Sequence, residues 1–276
     1  MSNDLVSILA TNPSIVQTGL DEDTLAVAGG NRQGNKRLSI KGGVFRKYTG
    51  GKEIGAIEDR HMNVIIVKMA HKASRMYYDQ GYKEGEKVSP VCWSNDSETP
   101  DPAVKNPPAS ACNNCPNSAK GSSDNGVSAK CRLSWRTAVV LPNDPSGDVM
   151  QLVLPATSAF GKEDNGRWPF RPYVQHLASH NVSAGRVITK MQFDTKSPTP
   201  KLLFSPVGAV SEDDLEVIAR QAKSPAAEAA IKLNVYQMDS EEEGSGEAAP
   251  TKREVSNNTE AKSVDVSDVV KKWAKK

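Results

Sequence analysis

Met62-Asn63-Val64-Ile65-Ile66-Val67-Lys68-Met69 is almost unbroken in apolar and β-branched side chains. That is the pattern of a central strand buried on both faces. Weaker strand signals surround it. Before it, Leu38 and Ile40 alternate with polar neighbours, Gly42 and Gly43 interrupt, and residues 44–48 resume the strand. Gly50-Gly51 reads as a hairpin turn. After it, residues 74–79 read as its neighbouring strand, ending at Gly81. Strand patterns return at 133–141, 149–154, 187–193 and 201–204, with a helix at 171–179. Ser211 with Asp214 opens a second helix carrying Leu215, Ile218 and Ala222 on one face. Ser224-Pro225 opens a third, with proline where a missing N–H costs nothing. The predicted fold is α+β, mainly antiparallel β. It is an OB-fold-like barrel with an inserted four-cysteine loop at 92–131 and C-terminal helices.

The chain has 276 residues, of which 37% are hydrophobic, and its mean hydropathy is −0.52. Those values predict a modest core with much loop and tail. Residues 1–35 read as a flexible arm and 36–236 as the folded domain. Residues 237–266 read as a disordered linker, acidic from Asp239 to Glu247. Residues 267–276 form a short basic amphipathic tail with Val269, Val270 and Trp273 on one side. No apolar run approaches the ~20 residues that span a bilayer, so a soluble protein is expected.

All four cysteines fall within 92–131: Cys92, Cys112, Cys115 and Cys131. Cys112 and Cys115 are spaced to bind one metal from a tight turn, and the outer two can close a tetrahedral structural zinc site. The intervening sequence is Pro, Asn, Ser, Asp and Gly with few aliphatics, so a metal would supply the ordering that burial cannot. Two disulfides, or two structural thiols beside a redox pair, are the alternatives. The first residues show no secretory leader pattern, which disfavours stable disulfides.

The formal net charge of +2 conceals a concentration. Residues 32–76 hold eleven Lys or Arg against Glu53, Glu58 and Asp59, a local field suited to a polyanion or, on the plainer view, a solvated basic face. Aromatics interleave with these cations. Phe45-Arg46-Lys47-Tyr48 lies on one strand, Arg75-Met76-Tyr77-Tyr78 with Tyr82 on another, and Cys131-Arg132-Leu133-Ser134-Trp135-Arg136 on a third. Single-stranded nucleic acid needs both features, cations for phosphates and flat rings for unpaired bases. Strand alternation sends Phe45 and Lys47 one way and Arg46 and Tyr48 the other, so part of this set belongs to the core. The expected phosphate contacts are Lys41, Arg46, Lys47, Lys68, Lys72, Arg75 and Arg132. The expected stacking rings come from Tyr48, Tyr77, Tyr78 and Trp135. Trp168-Pro169-Phe170-Arg171 is a further candidate, or a packing staple.

Signatures of catalysis are thin. No phosphate-binding GxxxxGK[ST], no GxGxxG, no HExxH and no GxSxG occurs. His176 and His180 are spaced to share a helix face but lack an acidic partner nearby. Glu58 and Asp59 would need further acids to hold the two metals of a nuclease. The expectation is therefore not an enzyme.

The order Tyr77-Tyr78, Gly81, Pro90-Val91-Cys92-Trp93-Ser94, Pro100, Cys112-x-x-Cys115-Pro116, Gly121-Ser122, Cys131-Arg132 resembles a group of bacteriophage replication-module proteins. Several of these are taken to be zinc-containing single-stranded DNA-binding proteins. The similarity extends through 152–155, Phe193 and Pro200-Lys201-Leu202, covering about 36–220. It implies zinc at the four cysteines, a β-barrel with a DNA groove, and a place in the host cytoplasm. Replication or recombination proteins would be recruited through 239–247 or 267–276. In one respect the chain departs from many single-stranded DNA-binding proteins: its acidic run is internal and its end is basic. The alternative is a zinc-containing regulatory or protein-interaction factor, such as a transcription accessory or recombination directionality factor.

Overall fold

The computed structural model describes residues 36–79 and 89–235. The arm at 1–35, Gly81 and Tyr82, the 237–266 linker and the 267–276 tail lie outside the described residues. Ten strands form: β1 (Arg37–Ser39), β2 (Phe45–Thr49), β3 (Lys52–Ile57), β4 (His61–Met69), β5 (Ser74–Tyr77), β6 (Cys92–Ser94), β7 (Arg132–Val140), β8 (Met150–Pro155), β9 (Val187–Phe193) and β10 (Leu202–Ala209). The helices are α1 (Ala156–Ala159), α2 (Phe170–Ser179), α3 (Glu212–Gln221) and α4 (Pro225–Ile231). Among the described residues no helix is long and apolar enough to cross a membrane.

The architecture is α+β, a curled mixed sheet forming a half-barrel with helices towards the C-terminal end. Its order is β10-β9-β4-β7-β8-β1-β2-β3, with β5 and β6 attached beside β7. Two corrections to the sequence expectation follow. The sheet is not purely antiparallel, because β1 and β8 run parallel. That pairing is available because more than a hundred residues separate the two strands in sequence, ample for a crossover. Nor does the described sheet close: β10 and β3 end the order without pairing to each other, whereas a barrel requires its end strands to meet.

β4 has the central, two-sided burial its composition predicts. It lies between β7 and β9. Val64 and Ile66 join Phe45, Leu152, Met191 and Phe193 in one cluster, with Phe170, Tyr173 and Leu177 of α2. Ile65 and Val67 join the other cluster, with Ile218 of α3 and Ala227 and Ala230 of α4. Each aliphatic buried this fully contributes roughly 1.5–3 kcal/mol. Polar bonds fix the layers: Tyr173 and Thr189 hydroxyls meet at 2.8 Å, and Gln151 Nε2 donates to Ala230 O at 2.7 Å.

Local chemistry sets the boundaries. Gly50 and Gly51 have φ of 60° and 85°, the left-handed pair that a two-residue hairpin needs and glycine adopts cheaply. Ser211 Oγ accepts the Asp214 N–H at 3.3 Å, and Ser224 Oγ accepts the Ala227 N–H at 3.2 Å, capping α3 and α4. β5 is not the hydrogen-bonded neighbour of β4, as residues 74–79 suggested. Both edges of β4 are filled, so β5 instead continues beyond it along the same edge of β7. At the break, Ala70 N–H donates to Arg136 O at 2.9 Å, and the Trp135 indole N–H donates to Ala70 O at 2.8 Å.

Candidate functional site

Beyond that break, β6, β5 and the start of β7 make a small three-stranded sheet. Arg75 pairs with Ser94 on one side and Leu133 on the other, Met76 with Trp93 and Arg132, and Tyr77 with Cys92. Paired residues share a face and successive residues alternate. Arg75, Tyr77, Cys92 and Ser94 therefore lie on one face, and Met76, Trp93 and Arg132 on the other.

The cysteines gather on the Arg75 face. Cys92 opens β6 and Cys131 immediately precedes β7. Cys112 starts a short 3-10 turn, and the Cys115 N–H donates back to Cys112 O at 3.4 Å. Cys112 N–H donates to Glu98 O and Cys131 N–H to Asn117 O, both at 2.8 Å, so backbone bonds hold the cysteine positions. The loop is otherwise built on side-chain acceptors. Asp96 Oδ1 accepts the N–H groups of Glu98 and Thr99 at 2.8 and 3.1 Å, and these bonds hold its carboxyl below the usual range. Asn125 Oδ1 does the same for Val127 and Ser128 at 2.9 and 3.0 Å. Between Asn95 and Lys130 only Val104 and Cys112 are buried, which agrees with the poverty of apolar residues there.

No disulfide links the four cysteines. Burial, then the neighbouring Cys112 and Cys115, raises the Cys92 thiol pKa. Burial pushes Cys131 up to about 11, against the opposing influence of the Arg75 charge and the Ser118 hydroxyl. Thiols so placed stay protonated near neutrality unless a cation joins them. Among the described residues no group of three or more His, Cys, Asp or Glu stands in metal-ligating geometry. The surroundings nevertheless suit a thiolate–metal centre. The donor set is all sulfur, which zinc favours. Arg75 Nε and Ser118 Oγ are buried without a hydrogen-bond partner, and both lie beside Cys131. Ser118 Oγ is near enough to favour the thiolate but lacks full hydrogen-bond geometry with it. Thiolates would give both orphan donors an acceptor.

The remaining predicted contacts do not converge on one groove. Arg46 and Tyr48 lie on the face that bears α4, where Arg46 Nη1 reaches Glu53 at 2.8 and 3.0 Å. Tyr48 OH donates to Glu53 at 3.2 Å, the Arg37 guanidinium sits 5.0 Å from its ring centroid, and burial followed by Glu53 raises its pKa. Lys47 lies on the opposite face with Phe45. Lys41 is exposed in the turn after β1. Lys68 is held by Glu228 and by Ala222 O, the latter at 3.1 Å, and Lys72 reaches Glu98 at 2.7 Å. The Trp135 ring packs 5.8 Å from Phe160 and 5.7 Å from Phe170, a core position. Brought together on the small sheet and its continuation are Arg75, Tyr77, Tyr78 and Arg132. Tyr77 OH donates to Asp79 at 2.9 Å, and Tyr78 OH to Met76 Sδ at 3.6 Å.

Trp93 was quoted above only as part of a motif, yet it shares this sheet. Its position one residue after a candidate ligand, on a strand, places it on the face away from Cys92. Elsewhere, His176 and His180 rings meet edge-on at 4.7 Å, and His176 stacks on Trp168 at 4.3 Å. Glu58 and Asp59 are exposed at the β3–β4 turn. The chain matches no protein-family model, no curated protein and no solved structure.

Proposed function

We propose that this chain is a phage-type, zinc-containing protein that binds single-stranded DNA. It would coat exposed strands during replication, recombination or repair in the host cytoplasm, and it is not an enzyme. The observation that carries this reading is the small sheet of β5, β6 and β7, which combines arginines and aromatic rings with the four-cysteine loop at its edge. Cys92, Cys112, Cys115 and Cys131 would hold the metal, with Arg75 and Ser118 donating to the sulfurs. When bound, zinc supplies a tetrahedral cross-link and no chemistry on substrate. The half-barrel with its long inserted loop is compatible with a partly open, OB-like arrangement, a shape that binds oligonucleotides across one face. Residues 239–247, from Asp239 to Glu247, and the 267–276 tail would recruit replication or recombination proteins.

A second reading, a protein-interaction factor, draws on β3. This edge strand is exposed along nearly its whole length, with Ile54 62% exposed, and such an edge can accept a partner strand. Fluorescence anisotropy separates the two, using a labelled single strand of about thirty bases against duplex of the same sequence. Preference for the single strand that falls steeply with salt supports coating. Absence of binding, or equal binding to duplex, rejects it in favour of a protein partner.

A further inference from the structure

We infer that the cross-strand row Trp93–Met76–Arg132 is the part of this protein that stacks unpaired bases and holds the adjoining phosphate. The inference rests on the single-strand reading above and gives it a location. Met76 pairs with Trp93 on β6 and with Arg132 on β7, so the three side chains stand side by side on one face. With strands ~4.8 Å apart, the row is roughly 10 Å long. It lies on the opposite face from Arg75 and Cys92, leaving the zinc loop to brace the sheet from behind.

The three tryptophans among the described residues differ in ways that single this one out. Trp135 packs its ring on two phenylalanines and donates its N–H to Ala70 O. Trp168 stacks on His176 and packs against the core. Trp93 is half-buried. Among the described residues its indole has neither ring partner nor hydrogen-bond acceptor, and it belongs to neither core cluster. A buried indole normally finds a partner for its N–H. Among the described residues β6 is an edge strand paired with β5 alone, so none of the described strands covers the row on that side. Met76 offers a polarisable thioether that packs well against an aromatic face, and Tyr78 is drawn to the same row by its bond to the Met76 sulfur. Arg132 is exposed and makes no ion pair among the described residues. Arg46, Lys68 and Lys72, by contrast, are engaged by carboxylates. An indole beside an uncommitted guanidinium matches a nucleotide, a π-face next to a negative charge.

The test compares full-length wild type with Trp93→Ala, Trp93→Phe and Arg132→Gln, each checked for melting temperature and zinc content. The probes are a thirty-base single strand and an abasic strand of equal length. Trp93→Ala should weaken the normal strand on the order of ten- to a hundred-fold and leave the abasic strand nearly unchanged. Trp93→Phe should retain most of the affinity, and Arg132→Gln should weaken both strands and flatten the salt dependence. Quenching of tryptophan emission by the normal strand should largely disappear in Trp93→Phe, which keeps the test open if Trp93→Ala misfolds. Wild-type affinity in a folded Trp93→Ala variant, or quenching unchanged in Trp93→Phe, overturns this inference alone. A wild type that shows no preference for the single strand overturns the functional reading, and this inference with it.

Discussion

The centre of the sheet and the cysteine loop are ordered by different means. Around β4, four consecutive side chains from Val64 to Val67 are buried, alternately into two clusters, and apolar burial fixes the register. From Asn95 to Lys130 almost nothing is buried. Order there comes from Asp96 and Asn125 accepting backbone N–H groups and from the cysteine positions at its ends and middle. The side chains that order the first region, Val64 to Val67, carry no titratable or metal-binding group. The second, on the proposed reading, would respond to pH and to zinc.

Four experiments would break or sharpen this contrast. Ile66→Ala should cost about 2–5 kcal/mol in global stability without changing zinc content, as read by denaturant unfolding with metal analysis. A loss of metal in that variant would show that the two regions are not separately ordered. Cys112→Ser, or a strong chelator, should remove the proposed zinc and the hydrogen-exchange protection of 95–130, moving the core transition less than Ile66→Ala does. Unaltered metal content would sink the zinc assignment. Ser224→Ala removes the α4 cap and should cost about 1 kcal/mol in thermal unfolding, with the loop amides untouched. The smallest effect concerns acid. The backbone bonds to Asp96 lower its folded pKa below the ordinary carboxylate value. Its contribution is therefore complete above that value and disappears as pH falls through the lowered one. Proteolysis of the loop should rise there ahead of any core melting, and Asp96→Ala should show the faster cutting already at neutral pH.

What could be read from sequence follows the same division. β4 was evident because a strand buried on both faces writes itself as an aliphatic run. The β2–β3 turn was evident because only glycine adopts two positive φ values cheaply. The caps at Ser211 and Ser224 are local hydrogen bonds and were equally plain. β3 was missed because Lys52-Glu53-Ile54-Gly55-Ala56-Ile57 is exposed at an edge and carries no burial pattern. β6 was missed because its three residues are held by pairing to β5, not by composition. The partners of the basic segment were the hardest to read. Local counting set it against three acids, while Glu98 and Glu228, distant in sequence, return to pair with Lys72 and Lys68. Proximity between distant segments, including the parallel meeting of β1 and β8, has no signature in any short window.

One strand, β7, belongs to both regions. Residues 132–134 pair with β5, and 137–140 pair with β4, with Trp135 pinned between them to Ala70. It therefore acts as a shaft. If the small sheet binds DNA as proposed, its orientation towards the strand follows from the packing of the main core some residues away. On the proposed reading a substitution at Val139 or Phe170 would alter how the DNA strand is presented without touching it, so defects in recognition would map to the core as well as to the surface that makes contact.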